Sequence, residues 1–272
     1  MIPDAEPKDW KEEANQQIEK LRKSDAEIAI KGIKSFKDAD NLQLLVSQTS
    51  HNFAFGTAVE CQRISDCFES GYDDEYCSFA KMNYNMLVCG YRMKIKYVEM
   101  KKGEHNYKAG DNTVAWAEMN NMKVRGHSLL WAKAENNPSW YRNLYGEEFV
   151  NAVYDRIDSA VSRYDGKIPQ WDVINEMIDQ GYENHTFYLD HSGDSNIRTK
   201  IFQRSKALSP ATMLFLNDYG VVDDRSGRFE LYQKQIRELL ESGTPIDGIG
   251  LQVRKTYLGS NNFLGHGLTS LI

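Results

Sequence analysis

Residue types able to move protons and grip hydroxyl groups recur at the ends of short apolar runs. Glu60 follows FGTAV, Arg125 and His127 lie in VRGHSLL, and Asn175-Glu176 closes QWDVINE. Asn217-Asp218-Tyr219 closes MLFLNDY, and Gln252 closes GIGLQ. Taken singly, each has an ordinary explanation: His127 as a satisfied core histidine, Asn217-Asp218 as a cap or turn, Glu176 as the first acid of a helix favoured by its dipole. Polar groups at the ends of five of six runs point instead to one functional face, because parallel barrel strands converge at their C-terminal ends. Carboxylates held in different protonation states do general acid/base work. Tyr91, Trp131, Trp140, Trp171 and Tyr219 lie near the same ends. Flat rings beside amides and carboxylates suit a ligand with apolar faces and hydroxyl edges, a sugar.

The elements that must position these groups alternate. Candidate strands begin near Phe53, Tyr84, Val124, Gln170, Met213 and Gly248, spaced by roughly 30–45 residues, the length of a strand–helix–strand unit. Between them, Phe149, Val153, Ile157, Ala160 and Tyr164 step at helical spacing and are followed by Gly166. Phe229, Tyr232, Ile236 and Leu239 do the same before Gly243, and Ile197, Ile201 and Leu208 precede Ser209-Pro210. Strand–helix alternation predicts parallel pairing through right-handed crossovers. The first fifty residues read differently: a charged helix over Asp9–Arg22, then strands over Glu27–Lys31 and Leu42–Gln48 covering or leading into the domain. The connection after Glu176, Met177 to Ser195, is long for a βα loop and is expected to shape the cleft.

The chain has 272 residues, 41% hydrophobic and 26% charged, with a net charge of −6. That is ordinary globular composition, and the acidic balance argues against nucleic acid or an anionic membrane as partner. No run approaches the length of a membrane span, and Met1 to Trp10 lacks the basic and apolar regions of a secretory signal. Cys61, Cys67, Cys77 and Cys89 match no zinc spacing. They read either as buried thiols or as one or two disulfides pinning a surface loop, which would imply an oxidising compartment. Asn184-His185-Thr186 is a glycosylation triplet. His185 and His191 lack metal-ligand spacing, and no phosphate-binding glycine motif occurs, so neither metal nor cofactor is expected.

Taken together, VRGHSLLW (124–131), NNPSW (136–140), WDVINE (171–176), FLNDYG (215–220) and IDGIGLQ (246–252), with FGTAVE (55–60), resemble glycoside hydrolase family 10. YRMK (91–94) and DHSGD (190–194) look most like its animal members. The resemblance implies an α/β fold, a (β/α)8 TIM barrel with about six of its eight units present. It spans a partial barrel over 51–252, between the 1–50 segment and a divergent 253–272 tail. It implies an endo-1,4-β-xylanase-type retaining hydrolase acting on β-1,4-linked xylan or a related glucan, extracellular, with an upstream carbohydrate-binding module in a longer parent chain. Glu176 matches the general acid/base, and Asn175 the residue at the sugar 2-hydroxyl. Lys94, His127, Trp131, Tyr219 and Gln252 match substrate-binding positions.

The sequence departs from the family at its second carboxylate, which a TE-acid segment of strand seven supplies. The residues after Gln252 contain neither Asp nor Glu, and Arg254 stands where the family has histidine. Asp172 lies about 13 Å along the strand from Glu176, against the roughly 5–5.5 Å of a retaining pair; Asp218 and Glu60 are alternative carboxylates on other strands. The chain is therefore expected to be C-terminally truncated, marginal in stability, and to lack its nucleophile. A non-catalytic carbohydrate-binding relative is the competing reading.

Overall fold

The computed structural model describes residues 10–32, 43–178, 186–222 and 227–252. The chain divides into two units, His51–Asn261 and Met1–Ser50 with Asn262–Ile272. In the larger unit, six strands form one parallel sheet in sequential order: β1 (Gly56–Val59), β2 (Met86–Cys89), β3 (Lys123–Trp131), β4 (Gln170–Asn175), β5 (Met213–Tyr219) and β6 (Gly248–Gln252). The result is an α/β half-barrel. After an irregularity in each of the β3–β4 and β4–β5 ladders, the C-terminal ends come into register. Trp131 faces Asn175, Asn175 faces Asn217, and Tyr219 faces Gln252.

The strands read as near-continuous apolar runs because helices cover them. Leu87, Leu129, Leu130, Val173, Ile174, Leu214 and Leu216 are all fully buried, each contributing roughly 1.5–3 kcal/mol through burial. The helix over Gly146–Arg163 buries Phe149, Val153, Ile157 and Ala160 on one stripe, as their spacing requires. Gly166 follows it at φ 73°, the left-handed conformation that glycine adopts without a Cβ penalty. Gly126 is needed for a different reason. A Cβ there would lie 2.1 Å from the Trp171 ring, so β3 and β4 can pair only if that side chain is absent.

The cysteines form two disulfides, Cys61–Cys89 and Cys67–Cys77. They do not pin a loop: their segment is largely two helices, α2 (Cys61–Ser70) and α3 (Glu75–Asn83). Asp74 starts α3 by accepting the Cys77 backbone N–H at 2.9 Å, a cap that the surrounding polar residues concealed. The first disulfide ties the start of α2 to the end of β2, and the second joins the two helices.

In the other unit, α1 spans Trp10–Arg22. Among the described residues, the strand pair expected after it is not seen. Residues 27–31 and 43–48 carry no regular structure, and Leu42 falls outside the described residues. Alternating apolar residues specify a strand only where a neighbour completes the ladder. Ile28 and Ile30 are exposed, and Leu45 is 93% exposed. The residue 253–272 tail, Arg254, Asn184 and His185 also lie outside the described residues.

Candidate active site

Glu176 follows directly on β4. Its backbone N–H donates to Asn217 O at 2.9 Å, and its φ is 57°. A left-handed conformation costs a side-chain-bearing residue on the order of 1–3 kcal/mol and persists only where neighbours enforce it. It turns the carboxylate into a ring of donors. Trp131 Nε1 donates to Oε2 at 3.0 Å, Gln252 Nε2 donates to Oε1 at 3.2 Å, and Lys133 Nζ stands 3.5 Å from Oε2.

Lys94, Asn175 and Tyr219 join this ring through successive contacts, and His127 belongs to a separate cluster on Asp172. The Lys94 ammonium lies 4.1 Å over the Trp131 ring and 5.3 Å from the half-exposed Tyr91 ring. Burial pulls Lys94 down to about 8, against the opposing pull of the Glu176 and Asp172 charges. Asn175 is fully buried. Its Oδ1 accepts from Asn217 Nδ2 at 2.9 Å and Gln252 Nε2 at 3.4 Å, while its Nδ2 has no partner among the described residues. Lys133 Nζ donates to Tyr219 Oη at 3.2 Å. His127 Nδ1 lies 2.8 Å from Asp172 Oδ2, and Arg125 Nε binds the same carboxylate at 3.2 Å. Burial by itself would raise the Asp172 carboxyl, yet the hydrogen bonds from His127 and Arg125 hold it below the usual range. The imidazole is thereby oriented, with Nδ1 as donor. Lys94, Trp131, Asn175, Glu176, Tyr219 and Gln252 thus meet at the C-terminal end of the sheet, while His127 pairs with Asp172 further back along β3 and β4.

Two of the aromatic residues placed near the strand ends lie elsewhere, and the alternative carboxylates are occupied or remote. Trp171 is core, 1% exposed, under Gly126. Trp140 donates Nε1 to Glu99 O at 2.9 Å and packs on Tyr141, so it supports a neighbouring segment. Asp218 cannot serve as a substitute nucleophile: it is 1% exposed, and both its oxygens are engaged. Oδ2 accepts Ile178 N at 2.7 Å, while Oδ1 accepts Tyr219 N and an Arg228 amino group, each at 2.9 Å. Burial pushes its carboxyl up to about 7 against these bonds and the Arg228 charge. Glu60 sits at the start of α2, its N–H donating to Tyr76 Oη at 2.8 Å, outside the described chain of contacts.

Sequence reasoning missed Lys133 and two buried arginines. Arg156 donates Nε to Leu129 O at 3.0 Å and one amino group to Tyr107 Oη at 3.0 Å. Its other amino group reaches Met93 O and Ser128 O. It therefore holds the residues beside Lys94 and His127. The signal was a charge at a core position, between Ala152 and Ala160 on one helical stripe. Arg228 opens its helix, Arg228–Glu241, where the dipole disfavours a cation.

A parallel half-barrel that collects a carboxylate, amides and an indole at its C-terminal strand ends has the architecture of a (β/α)-barrel protein, whose sites are built on that face. The chain belongs to glycosyl hydrolase family 10, whose profile matches residues 44–262. It is 31% identical to endo-1,4-beta-xylanase 1 of Arabidopsis thaliana over 238 residues, 87% of this chain and 24% of that relative. The structure of GH10 from Paenibacillus barcinonensis matches it with a TM-score of 0.66 at 29% identity, over 74% of this chain and 60% of that one. A mutant of Xylanase10C from Cellvibrio japonicus, solved in complex with xylopentaose, matches with a TM-score of 0.64 at 27% identity, over 75% of this chain and 42% of that one. The chain spans about a quarter of that curated relative and less than two thirds of those solved chains. These relatives are from a plant and bacteria, and they lend the animal-type likeness no support.

Proposed function

We propose that the site binds β-1,4-linked xylan and that Glu176 is the general acid/base of an endo-1,4-β-xylanase-type retaining hydrolysis. The observation that carries this reading is the donor ring on Glu176, in which Trp131, Gln252 and Lys133 aim the carboxylate, with Asn175 adjacent. In this role Glu176 hands its proton to the leaving glycosidic oxygen. Asn175 Nδ2, buried and without a partner among the described residues, would donate to a sugar hydroxyl once the site opens to a ligand, a bond that strengthens as the ring gains oxocarbenium character. A buried donor left without a partner costs about 1–3 kcal/mol, which a ligand acceptor recovers. Lys94, Trp131 and Tyr91 form one wall for the sugar, and Tyr219 lies beyond Lys133. The two disulfides support an extracellular setting.

A retaining mechanism requires a second ionised carboxylate about 5–5.5 Å from the first. Asp172 and Asp218 are buried and committed to their partners, and residues 253–272 hold neither Asp nor Glu. This chain by itself therefore binds xylo-oligosaccharide and turns it over little or not at all. The test pairs calorimetric titration with xylopentaose and reducing-sugar release from xylan, each compared with Glu176→Ala. Binding with negligible release is expected. Glu176-dependent release with retained anomeric configuration would sink the inactivity reading, and absence of binding would remove the sugar site itself.

A further inference from the structure

The segment that turns Glu176 into the site is held at two places. Upstream, the Glu176 N–H continues the β4–β5 ladder to Asn217 O. Downstream, both backbone polar groups of Ile178 are captured by the same buried ion pair. Asp218 Oδ2 accepts the Ile178 N–H at 2.7 Å, and an Arg228 amino group donates to Ile178 O. That amino group also binds Asp218 Oδ1 at 2.9 Å, and Arg228 Nε donates to Tyr219 O at 2.9 Å. The guanidinium fork thus spans the end of β5 and the segment two residues beyond Glu176, and its plane lies 4.3 Å over the Tyr219 ring. Between these two fixed points stands a glutamate at φ 57°.

We infer that the Asp218–Arg228 pair is a positioning device for Glu176, holding its left-handed backbone, and so its carboxylate, against Trp131. A left-handed glutamate relaxes to a right-handed or extended conformation unless both flanks are fixed. The β-ladder fixes one flank, and the clamp on Ile178 fixes the other. Asp218 and Arg228 are themselves buried, so they act through the peptide and not on a ligand. The inference rests on Glu176 being the working group proposed above, but its test needs no sugar.

The reporter is the Trp131 indole N–H, which donates to Glu176 at 3.0 Å. In nitrogen-15 spectra its resonance is assigned with Trp131→Phe, and Glu176→Ala gives its position without the acceptor. Arg228→Lys keeps the charge but removes the fork, and Asp218→Asn keeps the shape but weakens the grip. Both are expected to move the indole resonance toward its Glu176→Ala position and to speed its hydrogen exchange. Arg204→Lys, at the part-exposed pair with Asp158, is expected to leave it in place. Folded Arg228→Lys and Asp218→Asn chains with an unmoved indole resonance would overturn the inference. Should both variants fail to fold, the unmodified chain decides: the Ile178 amide must exchange as slowly as the β4 core amides, and exchange at open-loop rates overturns the clamp. Xylopentaose affinity is measured separately, so loss of the sugar reading and loss of the clamp are distinct results.

Discussion

Trp131 and Glu176 are joined by a 3.0 Å hydrogen bond from indole Nε1 to carboxylate Oε2, and the face of the same indole carries the Lys94 ammonium at 4.1 Å. One side chain thus couples a buried cation to the proposed acid. Lys94 is pulled to about 8 by burial and held up in part by the Glu176 and Asp172 charges. Removing one of these charges with Glu176→Gln is expected to lower the Lys94 pKa further. Nuclear magnetic resonance of carbon-13-methylated lysine reads the shift, and an unchanged or raised value would contradict the coupling.

The same group makes stability depend on pH with a definite sign. Lys94 titrates near 8 when folded and near its ordinary value of about 10.4 when unfolded. Between those values the unfolded chain binds more protons, so stability rises with pH through that window and is penalised below it. Lys94→Met is expected to abolish this contribution. Urea unfolding of both proteins at pH 7 and pH 10 measures it as a difference of differences.

Gly126→Ala places a methyl 2.1 Å from the Trp171 ring. Neither neighbour can yield easily, since Trp171 is fully buried and both strands are paired. A loss of at least about 1–3 kcal/mol is expected, seen as a lower denaturant midpoint with an unchanged slope. Because His127 is the next residue along β3, its pairing with Asp172 is expected to weaken too.

Arg156 is 2% exposed, and every described partner is an oxygen of the neutral chain. Arg156→Met leaves those oxygens without their donor, at a net cost of roughly 3 kcal/mol. Xylopentaose affinity is expected to fall as well, because Met93 and Ser128 lie beside Lys94 and His127. A more stable Arg156→Met chain would show that the cost of burying the charge outweighs its bonds.

The disulfides close sequence separations of 28 and 10 residues. By chain entropy, opening either by paired Cys→Ala replacement is expected to cost about 3 kcal/mol, slightly more for the longer closure. Urea unfolding of the two paired variants gives the comparison.

Much of the site was legible because parallel strands place their ends together by rule. Glu176, Asn175, His127 and Gln252 could be picked out as polar groups ending apolar runs. Trp171 could not be separated from the site aromatics, because its burial under Gly126 depends on how β3 pairs with β4. The strand pair expected near Glu27 failed because alternation describes one strand and not its partner. Arg156 and Arg228 did not stand out in the sequence. Their positions, a core stripe and a helix start, conflict with local preference, and such conflicts mark places where tertiary structure decides.

The sequential strand order has a consequence for how the protein is made. Each strand pairs with the one just before it in the chain, so every pairing joins neighbours in the order of synthesis. Glu176 depends on what comes later. Its amide bonds Asn217, and Ile178 behind it is gripped by Asp218 and Arg228. The proposed acid is synthesised with β4 but acquires its shape only after β5 and the helix following it have emerged. A nascent chain paused between Glu176 and Asn217 would thus lack every group that sets the glutamate's backbone, since Asn217, Asp218 and Arg228 are not yet made.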